Sequence, residues 1–418
     1  MDCFYIEGEK SLYGDCEITT AKNSILPILA GSLMCNEHLV IKKCAFYSDT
    51  EYMLKILEDV GVNIKKEGED VHINPMDASK CFIDEEYTKK IRSSIFMLGP
   101  LLSKFKKAKV SYPGGCNIGL RPIDLHLKGL RDLNVKIIEK HGFIYCDGNN
   151  MKAGEVHLDF PSVGATENII MASIFLKGKT TIYNVAKEPE IVDLANFLIS
   201  MGAKIYGAGT SEIVVEGVDR LHSTIYTPIS DRIITGTYMI ACAMTGGKIL
   251  LKNVIAEHNL SLINKLKHSG VKITKKKNNL IVSSNSKPKS VPVIETMPYP
   301  GFATDLQSQI LTLQTISKGT SIISENLFET RYKICTELLK MGADITLKDK
   351  TAVVKGVPKL YGASVIASDL RGGAGLVLAG LSASGYTTIH DIYHIDRGYY
   401  HIEDDLTKLG AKIVRKTD

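Results

Sequence analysis

The stretch Pro113-Gly114-Gly115-Cys116-Asn117-Ile118-Gly119 sets one thiol among three glycines, and Arg121-Pro122-Ile123-Asp124-Leu125-His126 follows closely. Glycines bring backbone freedom and no side chain to pack, so Cys116 does not read as a core residue. A neighbouring arginine favours the thiolate and readies such a thiol for proton transfer or nucleophilic attack. A spare surface thiol is the plainer alternative. The loop is not a nucleotide-binding P-loop, because no Gly-Lys-Ser/Thr follows it.

A second set of polar residues stands where apolar helices begin: Lys22-Asn23, Arg92-Ser93, Ser162-Val163-Gly164, Asp231-Arg232, Thr304-Asp305 and Asp369-Leu370-Arg371. A helix start offers unpaired N–H groups and the positive end of the dipole, and so attracts anions. Ser162, Thr304 and Asp369 suit ordinary capping. Lys22, Arg92 and Arg371 do not, because a cation there opposes the dipole, so they read as binding residues. The C-terminal half adds Arg331, after Glu325-Asn326-Leu327-Phe328-Glu329-Thr330, and Arg397 in His394-Ile395-Asp396-Arg397-Gly398. The planar fork of arginine suits carboxylate and phosphate, although a surface salt bridge uses the same residue. His390 and His394 lie at a strand end without a His-Glu-x-x-His pattern, so no metal is expected.

The elements that must hold these residues repeat. A helix end, a turn residue and an alternating strand recur at Gly61, Asn134, Gly202, Gly270, Gly342 and Gly410, at intervals of 73, 68, 68, 72 and 68 residues. Gly, and next to it Asn, suits the left-handed turn that ends a helix. Each copy reads β-α-β-α-β-β, with an amphipathic helix such as Tyr52–Val60 and a second, more apolar one. The last copy lacks a strand, and Phe4-Tyr5-Ile6-Glu7-Gly8 resembles the strand Ile213-Val214-Val215-Glu216-Gly217. The N-terminus is therefore expected to complete the sixth copy. The fold class is α/β (α+β), with domains at 22–229 and at 1–21 plus 230–418 flanking a cleft.

Composition sets the outer limits. The 418 residues are 44% hydrophobic and 23% charged, with a net charge of +5. That mild charge suits a small anionic substrate as well as nucleic acid. The run Lys104-Phe105-Lys106-Lys107-Ala108-Lys109 reads as a solvated turn rather than a polyanion patch. Apolar runs near Ile233–Met244 and Leu376–Ala383 are too short to span a bilayer. The N-terminus lacks a basic start with an apolar core, so no secretory leader is expected. Nine cysteines, an odd number without a Cys-x-x-Cys pair, fit reduced thiols in a cytoplasm.

Together these stretches resemble the enolpyruvyl transferase family over essentially the whole chain, and within it the members that use UDP-N-acetylglucosamine. Ala21-Lys22-Asn23-Ser24, Pro113–Gly119, Arg121 to His126, Ser162 to Thr166, Glu188-Pro189-Glu190-Ile191-Val192-Asp193, Asp231-Arg232-Ile233, Thr304-Asp305 and His394 to Gly398 carry the likeness. The resemblance implies two domains, each a pseudo-threefold set of the repeat, in an inside-out α/β barrel. It implies transfer of the carboxyvinyl group of phosphoenolpyruvate to the sugar 3-hydroxyl, an early step of peptidoglycan synthesis, with no cofactor or metal. By resemblance, Lys22, Arg121 and Arg397 hold the phosphate of phosphoenolpyruvate, while Arg331 and Arg371 serve its carboxylate and Asn23 lies beside them. Asn23, Thr304, Asp305 and Leu327 contact the amino sugar. Pro122, Ile123, Asp124, Leu125, Ser162, Val163 and Gly164 form the uridine and diphosphate site, with Arg92 and Arg121 near it. Cys116 is the proton donor and the thiol that fosfomycin alkylates, and Asp305 takes the hydroxyl proton.

The sequence departs from the family at Phe160, where many members carry Lys, at Ile234, where an acidic residue is usual, and at Ala303, where Pro is common. Arg371-Gly372-Gly373-Ala374-Gly375 is richer in glycine than most, which predicts a looser helix start. Family members that act on shikimate 3-phosphate lack the Cys-bearing loop, so Pro113–Gly119 argues against that acceptor. A non-catalytic UDP-sugar-binding paralogue is the other alternative, and a monomer is expected.

Overall fold

In a computed structural model, residues 2–114, 123–328 and 330–417 are described. The six repeat landmarks do what their residue types allow. Gly61, Asn134, Gly202, Gly270, Gly342 and Gly410 all have positive φ, from 65° at Asn134 to 102° at Gly202. At each, the next residue's N–H reaches back to a leucine carbonyl: Val62 to Leu57, Val135 to Leu130, Ala203 to Leu198, Val271 to Leu266, Ala343 to Leu338 and Ala411 to Leu406, at 2.9–3.1 Å. This is the Schellman closure, which satisfies an end carbonyl and brings an apolar side chain back onto the helix. It turns each outer helix into the following strand.

The strands form five four-stranded sheets and one three-stranded sheet among the described residues. Each four-stranded sheet has the same plan: a parallel edge pair, then two antiparallel steps. In one copy Glu155–His157 runs parallel to Lys179–Tyr183, which pairs antiparallel with Glu212–Glu216, which pairs antiparallel with Lys204–Tyr206. In the three-stranded sheet a single parallel bridge from Phe82 to Lys109 stands where the edge strand would be. The N-terminal strand Asp2–Glu7 lies between Tyr386–His390 and Lys412–Thr417, with Phe4 opposite Ile389 and Arg415. The strand expected to complete the sixth copy is thus in place. Leu12–Glu17 and Ile225–Tyr226 do the same service, pairing parallel with Gly247–Lys252 and Leu39–Ile41.

Two compact units result, one from residues 20–114 and 123–229, the other from 2–19 and 230–417. Each holds three sheets and three inner helices. In chain order the inner helices are α1 (Lys22–Ser32), α2 (Leu98–Phe105), α3 (Val163–Ser173), α4 (Arg232–Thr245), α5 (Gln307–Ile316) and α6 (Leu370–Ser382). A helix buried all round belongs at the centre of a domain. All ten residues of α5 are buried, and so are twelve of the thirteen in α6. In the second unit α4, α5 and α6 pack on one another, and the sheets lie outside them. The amphipathic outer helices, such as Ser48–Asp59, keep one wet face.

The glycines of α6 tighten the packing and do not loosen it, contrary to expectation. The helix is unbroken, and a Cβ at Gly373 would come within 2.6 Å of Ile395 Cγ1, one at Gly375 within 2.5 Å of Ile334 Cδ1. The missing side chains let neighbouring apolar groups approach the α6 backbone, which outweighs glycine's poor helix propensity. The basic run is also accounted for. Lys104 Nζ donates to Cys35 O, Asn36 Oδ1 and Pro75 O, Lys106 is a left-handed cap, and Lys109 lies 4.4 Å from the Phe143 ring centroid.

Candidate functional site

All six polar segments singled out in the sequence begin inner helices or the short 3-10 turns that lead into them. Lys22 opens α1, Arg92 opens the turn Arg92–Met97 before α2, and Ser162 caps α3. Asp231 caps α4, Thr304 opens the turn Thr304–Leu306 before α5, and Asp369 caps α6. The capping expectation holds for Ser162, whose Oγ accepts from Ala165 N at 3.4 Å, and for Asp369, whose Oδ1 accepts from Arg371 N and Gly372 N at 3.0 and 2.9 Å. It fails for Thr304. The cap of its turn is Ala303, and the Thr304 hydroxyl donates to Glu325 Oε2 at 2.8 Å. A strong carboxylate acceptor beside the hydroxyl outcompetes the local backbone.

In the unit of residues 230–417, Asp305 is held between two arginines. Arg331 Nη2 donates to Asp305 Oδ1 at 2.5 Å and Arg371 Nη2 to Oδ2 at 2.9 Å. Arg331 and Arg371 are 2% and 5% exposed. Burial alone would raise the Asp305 carboxyl, but Arg371 and Arg331, with Arg232 beyond them, hold it well below the usual carboxylate range. Among the described residues, the buried Arg331 Nε and Nη1 and Arg371 Nη1 have no hydrogen-bond partner. Buried cationic donors left over after one carboxylate is served are the chemistry of an anion site. Aromatic faces set their orientation: Arg331 lies over Phe328, Arg371 over Tyr399 and Arg232 over Tyr299, at 5.0, 5.8 and 5.7 Å from the ring centroids.

Arg397 follows the short helix Tyr393–Asp396. Burial, and then the charge of Arg397, lowers the pKa of the His394 imidazole, so His394 is neutral beside that cation. Glu325 is the residue of this unit that sequence reasoning left without a role. It is 1% exposed and, among the described residues, takes four donors: Thr296 Oγ1, Leu327 N and Phe328 N on Oε1, and Thr304 Oγ1 on Oε2. An acidic residue directly after the apolar strand Thr320–Ser324 was the available signal.

In the other unit, Lys22 Nζ pairs with Asp49 Oδ2 at 2.7 Å, both side chains nearly buried, which offsets the cost of a cation at the start of α1. Asn23, beside it, is half-buried. Ser162, Val163 and Gly164 meet the helix Asp124–Asp132, because a Cβ at Gly164 would stand 2.9 Å from His126 Cε1 and 3.0 Å from Phe96 Cε1. Asn168 ties these pieces together. Its Nδ2 donates to Ile95 O at 2.9 Å and lies 2.8 Å from His126 Nδ1, while its Oδ1 accepts from Gly99 N at 2.8 Å. The segments carrying Arg92, Ser162 to Gly164, and Ile123 to Leu125 are thereby brought together. Asp124 is exposed, Leu125 half-buried and Ile123 buried. A polar residue inside the apolar run of α3 was the missed signal. The family departures sit comfortably: Phe160 is 46% exposed, and Ile234 is 3% exposed with its N–H donating to Asp231 Oδ1.

Cys116, Arg121 and Pro122 lie outside the described residues. The other eight cysteines are free thiols, seven of them buried. Burial pushes the Cys16, Cys44, Cys146, Cys242 and Cys335 thiols up to about 12, which disqualifies them as nucleophiles at neutral pH.

Comparison with known proteins bears on this arrangement. A family model described as EPSP synthase (3-phosphoshikimate 1-carboxyvinyltransferase) matches residues 6–406. UDP-N-acetylglucosamine 1-carboxyvinyltransferase 2 of Caldanaerobacter subterraneus subsp. tengcongensis is 49% identical over 415 residues, covering 99% of this chain and 100% of that protein. UDP-N-acetylglucosamine 1-carboxyvinyltransferase 1 of Clostridium perfringens is 46% identical over 421 residues, covering 99% and 100%. Among solved structures, the enolpyruvyl transferase NikO from Streptomyces tendae superposes with a TM-score of 0.89 at 22% identity, covering 100% of this chain and 99% of that one. That likeness speaks for the fold, an inside-out arrangement of helices within sheets.

Proposed function

From the premise that the chain belongs to the enolpyruvyl transferase family, we propose that it transfers the carboxyvinyl group of phosphoenolpyruvate to the 3-hydroxyl of UDP-N-acetylglucosamine and releases phosphate. The observation that carries this reading is the Arg331–Asp305–Arg371 cluster, an ionised carboxylate beside buried arginine donors left without an acceptor among the described residues. The full-length identity to transferases named for UDP-N-acetylglucosamine selects the acceptor.

In this reading the sugar oxygen bonds to the central carbon of the enol phosphate. The methylene carbon takes a proton from Cys116, and Asp305 accepts the hydroxyl proton. The tetrahedral ketal then loses phosphate as a methyl proton leaves and the double bond returns. A carboxylate paired with two arginines is a weak base. When Arg331 and Arg371 turn their spare N–H groups to the donor's carboxylate, their hold on Asp305 relaxes and its basicity rises. Lys22, Arg121 and Arg397 take the phosphate and stabilise the charge that grows on it as it departs. Asn23, Thr304 and Leu327 take the amino sugar; Arg92, Pro122 to Leu125, and Ser162 to Gly164 take the uridine diphosphate. We assign one enolpyruvyl transferase domain to each compact unit, so that against the expected bounds of 22–229 and 1–21 plus 230–418 residues 20 and 21 join the first. Among the described residues no helix is long and apolar enough to cross a membrane; we place the enzyme in the cytoplasm as a monomer serving peptidoglycan synthesis.

The test is an acceptor assay. Phosphate is released from phosphoenolpyruvate with UDP-N-acetylglucosamine and not with shikimate 3-phosphate; the reverse result rejects the assignment. Mass spectrometry after fosfomycin treatment places the adduct on Cys116 alone of the nine cysteines. Cys116→Ser loses both adduct and turnover, and a fully active Ser variant removes the proton donor from the scheme.

A further inference from the structure

Glu325 sits at the end of the strand Thr320–Ser324, where its buried carboxylate collects donors from three segments. The Thr296 hydroxyl, Leu327 N–H and Phe328 N–H all point at Oε1, at 2.9, 2.8 and 3.1 Å. Among the described residues, the Thr304 hydroxyl alone points at Oε2, at 2.8 Å. Asn326 closes the knot, its N–H donating to Thr296 Oγ1 at 2.9 Å and its Nδ2 to Thr296 O at 3.1 Å. A hydroxyl has one hydrogen and two lone pairs. With its hydrogen committed to Glu325, Thr304 can offer a ligand only lone pairs. The Leu327 N–H is likewise committed, so that residue can offer a ligand only its carbonyl. Asp305, next in sequence to Thr304, is itself an ionised carboxylate and an acceptor.

We propose that Glu325 is a positioning residue that fixes the direction of the Thr304 hydrogen bond and so makes this corner of the acceptor site accept and never donate. Resting on the function proposed above, this explains a preference for an amino sugar. The acetamido N–H and the hydroxyls of N-acetylglucosamine donate, whereas a carboxylate or phosphate offers only acceptors and is refused there.

The decisive variant is Glu325→Gln. Three donors crowd Oε1, so the amide oxygen must stay on that side and the amide nitrogen must face Thr304. The nitrogen then donates to Thr304 Oγ1 and frees its hydrogen, reversing the polarity without changing the shape. The expected result is a rise of about ten- to a hundredfold in KM for UDP-N-acetylglucosamine, with KM for phosphoenolpyruvate within about threefold of wild type. Thr304→Val, in an otherwise wild-type chain, raises the same KM and gives the second arm if the Gln variant does not fold. Thr304→Ser recovers most of that loss, since it restores the hydroxyl. Combining Glu325→Gln with Thr304→Val adds little beyond Thr304→Val, because both act through one contact. Equal increases in both KM values, or independent effects in the double variant, overturn the inference and leave Glu325 a purely structural carboxylate. A wild-type enzyme active on UDP-N-acetylglucosamine whose Thr304→Val form keeps its KM also overturns it, while the proposed reaction stands. A wild type inert toward that acceptor rejects the reaction itself, and this inference with it.

Discussion

Asp305 and Glu167 are carboxyls near the starts of inner helices in different units, and their charges go opposite ways. Asp305 leads into α5 between two buried arginines and stays ionised. Glu167 lies in α3, 1% exposed, with neither oxygen hydrogen-bonded among the described residues. Burial, and then the charges of Glu190 and Glu188, raises its pKa well above the usual carboxylate range. Desolvation pushes both groups toward the neutral acid, and the partners decide the outcome. Position at a helix start is therefore not enough to make a charged site. Cations must be delivered from elsewhere in the fold, as Arg331 and Arg371 are. The same lesson separates Lys22, paired with Asp49, from Lys104 and Lys109 of the basic run, which are spent on carbonyls and rings.

The sharpest way to break this contrast is to neutralise the ionised partner. Asp305→Asn removes the proposed base and should lower kcat by about 10²- to 10⁴-fold in a phosphate-release assay. A variant with unchanged kcat would show that the paired carboxylate is structural. Next in size is Arg371→Lys, which keeps the charge and loses the fork. KM for phosphoenolpyruvate should rise by roughly tenfold or more, because one ammonium cannot serve Asp305 and a second carboxylate in the same geometry. An equal loss in KM for the sugar nucleotide would mean general disorder of the site. The smallest effect is on stability. The folded pKa of Glu167 is raised, so its favourable contribution is complete below the unfolded value of about 4.3 and is lost as pH rises through the folded value. Glu167→Gln should therefore melt increasingly above wild type as the pH is stepped from 4.5 to 8. For Asp305 the sign is reversed: its folded pKa is depressed, so its contribution is present above an unfolded value of about 3.9 and fades only as pH falls toward the folded one. A wild-type protein whose stability does not change across that range, with Glu167→Gln running parallel to it, would erase the difference between the two carboxyls.

Much of this was legible from residue order. Five glycines and one asparagine at near-constant spacing announced six left-handed helix ends, and all six have positive φ. The cations at helix starts were visible because Lys22, Arg92 and Arg371 violate the dipole rule. Thr304 was misread as a cap, since capping chemistry is local and the acceptor it meets, Glu325, lies 21 residues away. Asn168 and Glu325 were passed over because a single polar residue in or beside an apolar segment does not reveal which backbone groups it will satisfy.

The sequence by itself determined the repeat, the helix ends, the strand that the N-terminus lends to the last copy and the residue types at each helix start. These depend on φ preferences, side-chain periodicity and capping chemistry, all of which act over a few residues. Only the tertiary structure decided which carboxylate meets which arginine, why Asp305 is charged while Glu167 is not, and which way the Thr304 hydroxyl points. Those outcomes follow from desolvation and hydrogen-bond competition among groups far apart in the chain, and such groups are brought within reach only when the sheets and helices pack.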